Sequence, residues 1–164
     1  MATPVISDIG SKEQIEEFLK PALAGDKIVS LGVSEPAAGS DVAGIRTSCR
    51  KDGKHWVLNG RKCYITNGGR AVWTVIFATV DPSLGRAGHR AFVVEKGTPG
   101  FEVGKIEEKM GLRANETAEL VLEDCRVPEE NLLGGEQAYV SKEGFMTAMK
   151  TFGTPYTGSS SPCT

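Results

Sequence analysis

Between residues 45 and 80 the chain alternates short apolar runs with turn-forming pairs, and this punctuation restricts the fold more than any other feature of the sequence. Asp52-Gly53 separates residues 45–51 from 56–58, Asn59-Gly60 precedes 62–66, and Asn67-Gly68-Gly69 stops that run ahead of 72–80. Asn, Asp and Gly reach left-handed backbone conformations at little cost, as tight hairpins require. Asp52-Gly53 therefore reads as a type I′ hairpin and Asn59-Gly60 as a second turn. Connections this short cannot carry a parallel crossover, which needs a dozen or more residues. Residues 72–80 are almost wholly apolar and are expected to form a central strand buried on both faces. Further strands are expected at 28–33, 91–95, 102–106 and 119–127. In the last of these the two alternating sets are too alike to say which faces inward. Residues 81–89, polar and glycine-rich, read as a loop. The expected fold is mainly β, an antiparallel β-barrel or sandwich with a short helix at each end.

The leading helix has a start signal. In Ser11-Lys12-Glu13-Gln14 the serine can cap the first turn while Gln14 reaches back, the arrangement of a capping box. Ile15, Phe18, Leu19 and Leu23 recur at helical spacing, Pro21 disfavours a regular final turn, and Gly25-Asp26 ends it. The 164 residues suffice for one domain with a real core. A net charge of −2 argues against nucleic acid or an anionic membrane as partner. No glycine-rich dinucleotide or P-loop fingerprint is present. Cys49, Cys63, Cys125 and Cys163 show no CxxC pairing, and with only His55 and His89 to help, no metal site is expected. Free thiols, no secretory leader and no apolar stretch long enough to cross a bilayer point to a cytoplasmic protein without membrane insertion.

Chemistry concentrates in two stretches. In the first, residues 28–31 lead into Gly32-Val33-Ser34-Glu35-Pro36-Ala37-Ala38-Gly39-Ser40-Asp41-Val42-Ala43-Gly44, a small-residue loop that a flat ligand could approach closely. The second is Asn59-Gly60-Arg61-Lys62-Cys63-Tyr64-Ile65-Thr66-Asn67-Gly68-Gly69. Lys109-Met110-Gly111-Leu112-Arg113 and Glu123-Asp124-Cys125-Arg126-Val127-Pro128 follow. These four stretches, in order and spacing, resemble the middle domain of the acyl-CoA dehydrogenase family, flavoenzymes that desaturate acyl-CoA thioesters. The resemblance runs from about residue 10 to about residue 152.

The resemblance implies the following roles. FAD would be met by Leu31, Val33, Ser34, Gly39, Ser40, Tyr64, Ile65 and Thr66. The backbones of Leu31 and Val33 and the Ser34 hydroxyl would face the flavin's pyrimidine edge, Tyr64 would pack on the ring system, and the Thr66 hydroxyl would reach N5. Ser40 would lie near the pyrophosphate and the thioester end of the acyl-CoA substrate. Val80 stands where several relatives carry a small polar residue near the substrate. Fixed donors beside N1 and the C2 carbonyl would stabilise a reduced flavin anion without reorganising. The implied organisation is a lead-in segment (1–27), a β domain (28–135), the start of a helical domain (136–152) and a disordered tail (153–164). In a eukaryote the resemblance also admits the mitochondrial matrix.

The same residues fit plainer roles. Ser34 suits a strand-end serine bonding its own loop, Thr66 an ordinary β-branched strand residue, and Tyr64 the core. Glu35 is read as fixing the loop through backbone hydrogen bonds, and Asp41 as a turn or cap residue. Arg113 and Glu116 suit a surface ion pair, and Trp56 and Trp73 the core. The family's catalytic base belongs to C-terminal helices that the resemblance does not reach, so no catalytic residue is assigned. The chain is expected to be inactive alone, to hold FAD weakly or not at all, and to self-associate through the surface those helices cover. A non-catalytic binding module of the same fold is the alternative.

Overall fold

The computed structural model describes residues 2–140. The expected start of a helical domain lies mostly outside them, and the expected tail wholly so. Helix α1 (Thr3–Ile9), which the sequence pattern did not suggest, comes first. Lys12–Gln14, Ile15–Leu19 and Lys20–Ala24 then run on as one helix, α2, whose middle third widens to a π-turn. The capping box forms as expected: the Ser11 hydroxyl accepts from the Gln14 amide at 3.2 Å, and the Gln14 side chain accepts from the Ser11 amide at 2.9 Å. Pro21 does not break the helix. The Lys20 amide reaches back five residues to the Ile15 carbonyl, and this wider turn makes room for the proline ring. Gly25, at φ +85°, ends the helix in the left-handed conformation.

Seven strands follow: β1 (Val29–Gly32), β2 (Ser48–Asp52), β3 (His55–Thr66), β4 (Trp73–Thr79), β5 (His89–Glu95), β6 (Phe101–Ile106) and β7 (Thr117–Pro128). The β2–β3, β3–β7, β6–β7 and β4–β5 ladders are antiparallel. The mainly β, mainly antiparallel expectation therefore holds, in a sheet curled into a half-barrel. Two pairings are parallel. β1 runs beside the first half of β4, and β2 touches its far end through Ser48 and Thr79. Forty residues separate β1 from β4, so the short-hairpin argument, valid between neighbours, never applied to this pair.

β4 is buried along its whole length, as its apolar run predicts. Trp73, Val75 and Phe77 pack with Phe18 and Leu19 of α2 and with Val5 and Ile6 of α1. Ile76 and Ala78 point the other way, into the hollow of the curled sheet, with Leu58, Leu120, Leu122 and Val127. Trp56 and Trp73 are both core residues. Gln14 ties the ends of the described chain together by donating to the Glu130 and Leu132 carbonyls at 2.6 and 3.0 Å.

Two expectations about turns need correction. The β2–β3 hairpin closes on Gly53-Lys54, with positive φ at Gly53 (62°) and not at Lys54, the II′ rather than the I′ pattern. Asn59-Gly60 is no turn at all. β3 runs straight through it, and a bulge in β7 absorbs the irregularity: Leu58 faces Cys125 while Gly60 faces Leu122. The Asn59 amide group clamps the bulge, donating to Asp124 Oδ1 at 3.1 Å and accepting from the Asp124 amide at 2.8 Å. Asp124 adopts φ 46°. The extra residue also resolves the facing of β7. Leu120 and Leu122 point inward, the phase slips by one, and Cys125 and Val127 point inward beyond it.

Gly60 lies at φ +154°, and a Cβ there would fall 2.8 Å from the Thr47 Cα. Gly60→Ala is expected to destabilise the fold by about 1–3 kcal/mol through overpacking. Denaturant unfolding checks this; a midpoint equal to that of the unmodified chain would contradict it.

Candidate functional site

A groove of about 390 Å³ opens between the free edge of β1 and the end of β3. Leu31, Val33, Ser34, Tyr64, Ile65 and Thr66 line it, so the structure brings together six of the eight residues singled out for a flavin. Gly39 and Ser40 are not among the lining. They are exposed on the neighbouring loop, which is held by reciprocal backbone bonds between Glu35 and Ala38. Val80, half-exposed at the end of β4, is not in the lining either. Val29, Ser30 and Asn67 also line it, as does Ala2 at the head of α1, which no sequence signal had marked. A larger hollow of about 710 Å³, beneath residues 106–116, is lined mainly by charged side chains such as Arg70, Glu107, Lys109 and Arg113. Ile106 and Met110 are its apolar lining.

Tyr64 is 70% exposed, so of its two readings the core one fails. A second bulge, in which Lys62 faces Leu120 and Ile65 faces Ala118, leaves Cys63 and Tyr64 together opposite Glu119. Tyr64 takes φ 58° there. For a bulky side chain this conformation costs on the order of 1–3 kcal/mol, and such strain gathers at functional positions. The bulge turns the ring out onto the groove while Ile65 returns to the core. Thr66 is exposed, and its hydroxyl has no hydrogen-bond partner among the described residues. Ser34 is half-buried, and the same is true of its hydroxyl.

Beneath the groove sits a buried ion pair. Lys62 Nζ lies 2.7 Å from Glu35 Oε1, with the two side chains 0% and 6% exposed. Glu35 also accepts from the Arg46 amide (2.7 Å), the Thr47 amide (3.0 Å) and the Thr47 hydroxyl (2.6 Å). Burial pushes the Glu35 pKa up, but the Lys62 charge and these hydrogen bonds outweigh it and hold the carboxyl below its ordinary value. Burial draws Lys62 below the usual lysine range, against the pull of Glu35. Glu35 is thus the loop-fixing residue its position suggested, through a partner the sequence did not disclose. Lys62 was read only as part of a motif. Its one visible signal is a charge on the inward-facing phase of a strand, and 27 residues separate it from Glu35.

Other groups are committed elsewhere. Burial pushes the Cys49 and Cys125 thiols up to about 12, which leaves them un-ionised near neutrality. His89 is held down to about 4 by burial and by the Lys62 charge, and it is not in the groove lining. Asp41 caps the short helical turn Val42–Gly44 through its backbone. The expected Arg113–Glu116 pair is replaced: Glu116 bonds Arg70 (3.3 Å) and the Gly69 amide (2.8 Å), while Arg113 donates to the Lys109 carbonyl. Glu116 lies beside the turn after β3, and that turn supplies nearer donors. Among the described residues no cluster of His, Cys, Asp and Glu is arranged to hold a metal, and no helix is long and apolar enough to cross a membrane.

The groove's polar rim suits a flat heterocycle. The Val33 and Ser34 carbonyls are spent on Lys62 Nζ (3.2 Å) and the Cys63 amide (2.9 Å), whereas the Val33 and Ser34 amides donate to nothing among the described residues. Two unspent amides, two unspent hydroxyls and an exposed aromatic ring surround an apolar floor. That donor set fits the edge and face of an isoalloxazine ring.

Comparison with known proteins points the same way. A family model described as "Acyl-CoA dehydrogenase, middle domain" matches residues 30–125. Acryloyl-CoA reductase (NADH) of Anaerotignum propionicum is 46% identical over 152 residues, 92% of this chain and 37% of that protein. Butyryl-CoA dehydrogenase from Megasphaera elsdenii superposes with a TM-score of 0.81 at 43% identity, over 90% of this chain and 37% of that one. An FAD-dependent dehydrogenase superposes with a TM-score of 0.79 at 34% identity, over 88% of this chain and 38% of that one. The chain spans somewhat over a third of the length of these relatives.

Lys62→Met should cost about 3–5 kcal/mol, because it leaves a buried carboxylate without its counter-ion. Glu35→Gln/Lys62→Met together should restore much of that loss. The folded-state pKa of Glu35 is lowered, so its contribution is full above the unfolded value and fades as pH falls below 4.5 toward the folded value. Thermal unfolding from pH 7 to 3 should show the unmodified chain losing stability more steeply than the double variant. Parallel curves would contradict the assignment.

Proposed function

The chain belongs to the acyl-CoA dehydrogenase family, and on that premise we propose that it forms the flavin-facing wall of an enzyme that desaturates acyl-CoA thioesters. The observation that carries this is the groove itself, where the loop after β1 and the bulge in β3 bring unspent donors and Tyr64 to one rim. FAD bound there would supply the two-electron acceptor. The Val33 and Ser34 amides would hold the pyrimidine edge, the Thr66 hydroxyl would orient the far side of the central ring, and Tyr64 would exclude water from one face. Ser40 and Gly39, exposed on the adjoining loop, would contact the pyrophosphate and the thioester end of the acyl-CoA.

Among the described residues the groove lining contains no carboxylate and no histidine. Glu35, the tempting base, is fully engaged beneath it. We therefore assign the proton-abstracting group to residues other than those of this wall, and propose that the β unit by itself holds FAD weakly and does not turn over substrate. The domain division stated above, with the β unit at 28–135, and a cytoplasmic or mitochondrial-matrix setting belong to the same reading. Association of the isolated chain with itself belongs to the same reading, with Leu23, Met110 (99% exposed) and Leu112 among its exposed apolar side chains.

Ser34→Ala and Thr66→Ala should each weaken FAD binding by about 1–3 kcal/mol, the cost of a buried acceptor left unmet. Titration followed by flavin fluorescence measures this, and an affinity in both variants unchanged from that of the unmodified chain would remove the hydroxyls from the site. Anaerobic mixing of the FAD-loaded chain with short-, medium- and branched-chain acyl-CoAs should leave the flavin oxidised; stoichiometric bleaching would show that a group of this chain is the base. Sedimentation at several concentrations should show association, and a monomer throughout would count against it.

A further inference from the structure

We infer that Lys62 is a positioning residue whose buried ammonium aims the Ser34 amide into the groove and strengthens it as a donor. A trans peptide is planar, and its carbonyl and amide point to opposite sides. The Val33 carbonyl accepts from Lys62 Nζ at 3.2 Å, and Lys62 lies wholly inside the protein. The amide of that same peptide unit belongs to Ser34, and it must therefore point away from Lys62. Ser34 lines the groove and its amide meets no acceptor among the described residues. The next peptide is fixed in the same way: the Ser34 carbonyl accepts from the Cys63 amide at 2.9 Å, and the Glu35 amide turns back to the Ala38 carbonyl at 2.8 Å.

Lys62 can hold this setting because it is held in turn. Glu35 takes its ammonium at 2.7 Å while gripping both the amide and the hydroxyl of Thr47 on the far side of the loop. A neutral donor could fix the carbonyl equally well. A cation also polarises the peptide, making the N–H on its other end a better donor, and the effect is strong where water is excluded. Lys62 thus acts on a ligand it does not touch. The orientation of the peptide stands on the geometry alone; the consequence for a flavin rests on the function proposed above.

The test uses the full chain labelled for NMR. In the unmodified protein a scalar coupling across the hydrogen bond should link the Lys62 Nζ nitrogen to the Val33 carbonyl carbon, and absence of that coupling would overturn the inference without any variant. In Glu35→Gln/Lys62→Met, which leaves no unpaired charge, the Ser34 amide resonance should move and its hydrogen exchange change, while amides of β5 and β7 stay in place. FAD affinity should fall about tenfold in that variant. A Ser34 amide and an FAD affinity both unchanged from the unmodified chain would reduce Lys62 to a structural ion pair and overturn the inference. If the unmodified chain binds no FAD but the Ser34 amide still moves, the flavin reading fails and the positioning role stands.

Discussion

The arrangement of this domain depends on one buried ion pair. Lys62 comes from the middle of β3 and Glu35 from the loop after β1, and both side chains are buried. A buried charge is tolerable only when it is paired and hydrogen-bonded on every side, and here every partner belongs to the loop between residues 33 and 47. Moving that loop would strand two charges in the interior. The pair is therefore weak evidence for stability and strong evidence for a fixed backbone. It explains how a loop of small residues, which would otherwise be pliable, presents a defined row of donors beside β3.

Irregularity in the strands does comparable work. β3 and β7 form the longest ladder, and it is interrupted twice, once with the extra residue on β7 and once with it on β3. The first slip lets both halves of β7 face the same core. The second turns Tyr64 outward in the short span between the buried Lys62 and Ile65. A regular strand could not place three residues so close together on such different sides, because its side chains alternate strictly. The strain at Tyr64 is carried by the ladder on either side of it.

Helices α1 and α2 cover one face of β4 and β5, while the sheet's own curl covers the other. This double cover accounts for the unbroken apolar run in β4. It also lets β1 lie parallel to β4 with its outer edge free, and that free edge forms one wall of the groove. Gln14 ties α2 to the sheet, since its side chain completes the capping box of α2 and grips the segment after β7 at once.

Much of this was legible in the sequence because it is local. The capping box, the glycine stop at Gly25, the hairpin after β2 and the buried β4 each follow from residues a few positions apart. The two motifs that meet at the groove were visible too, as strings resembling a known family. What the sequence could not show was how distant residues cancel one another's costs. Asn59-Gly60 reads as a turn until Asp124 is placed across from it; Pro21 reads as disfavouring a regular final turn until a π-turn makes room for it. Lys62 reads only as one residue of a motif until Glu35 arrives from 27 residues away. Local propensity is written in neighbouring residues, whereas the pairing of buried charges, the slipping of ladders and the exposure of Tyr64 are settled only when strands far apart in sequence close on a common core.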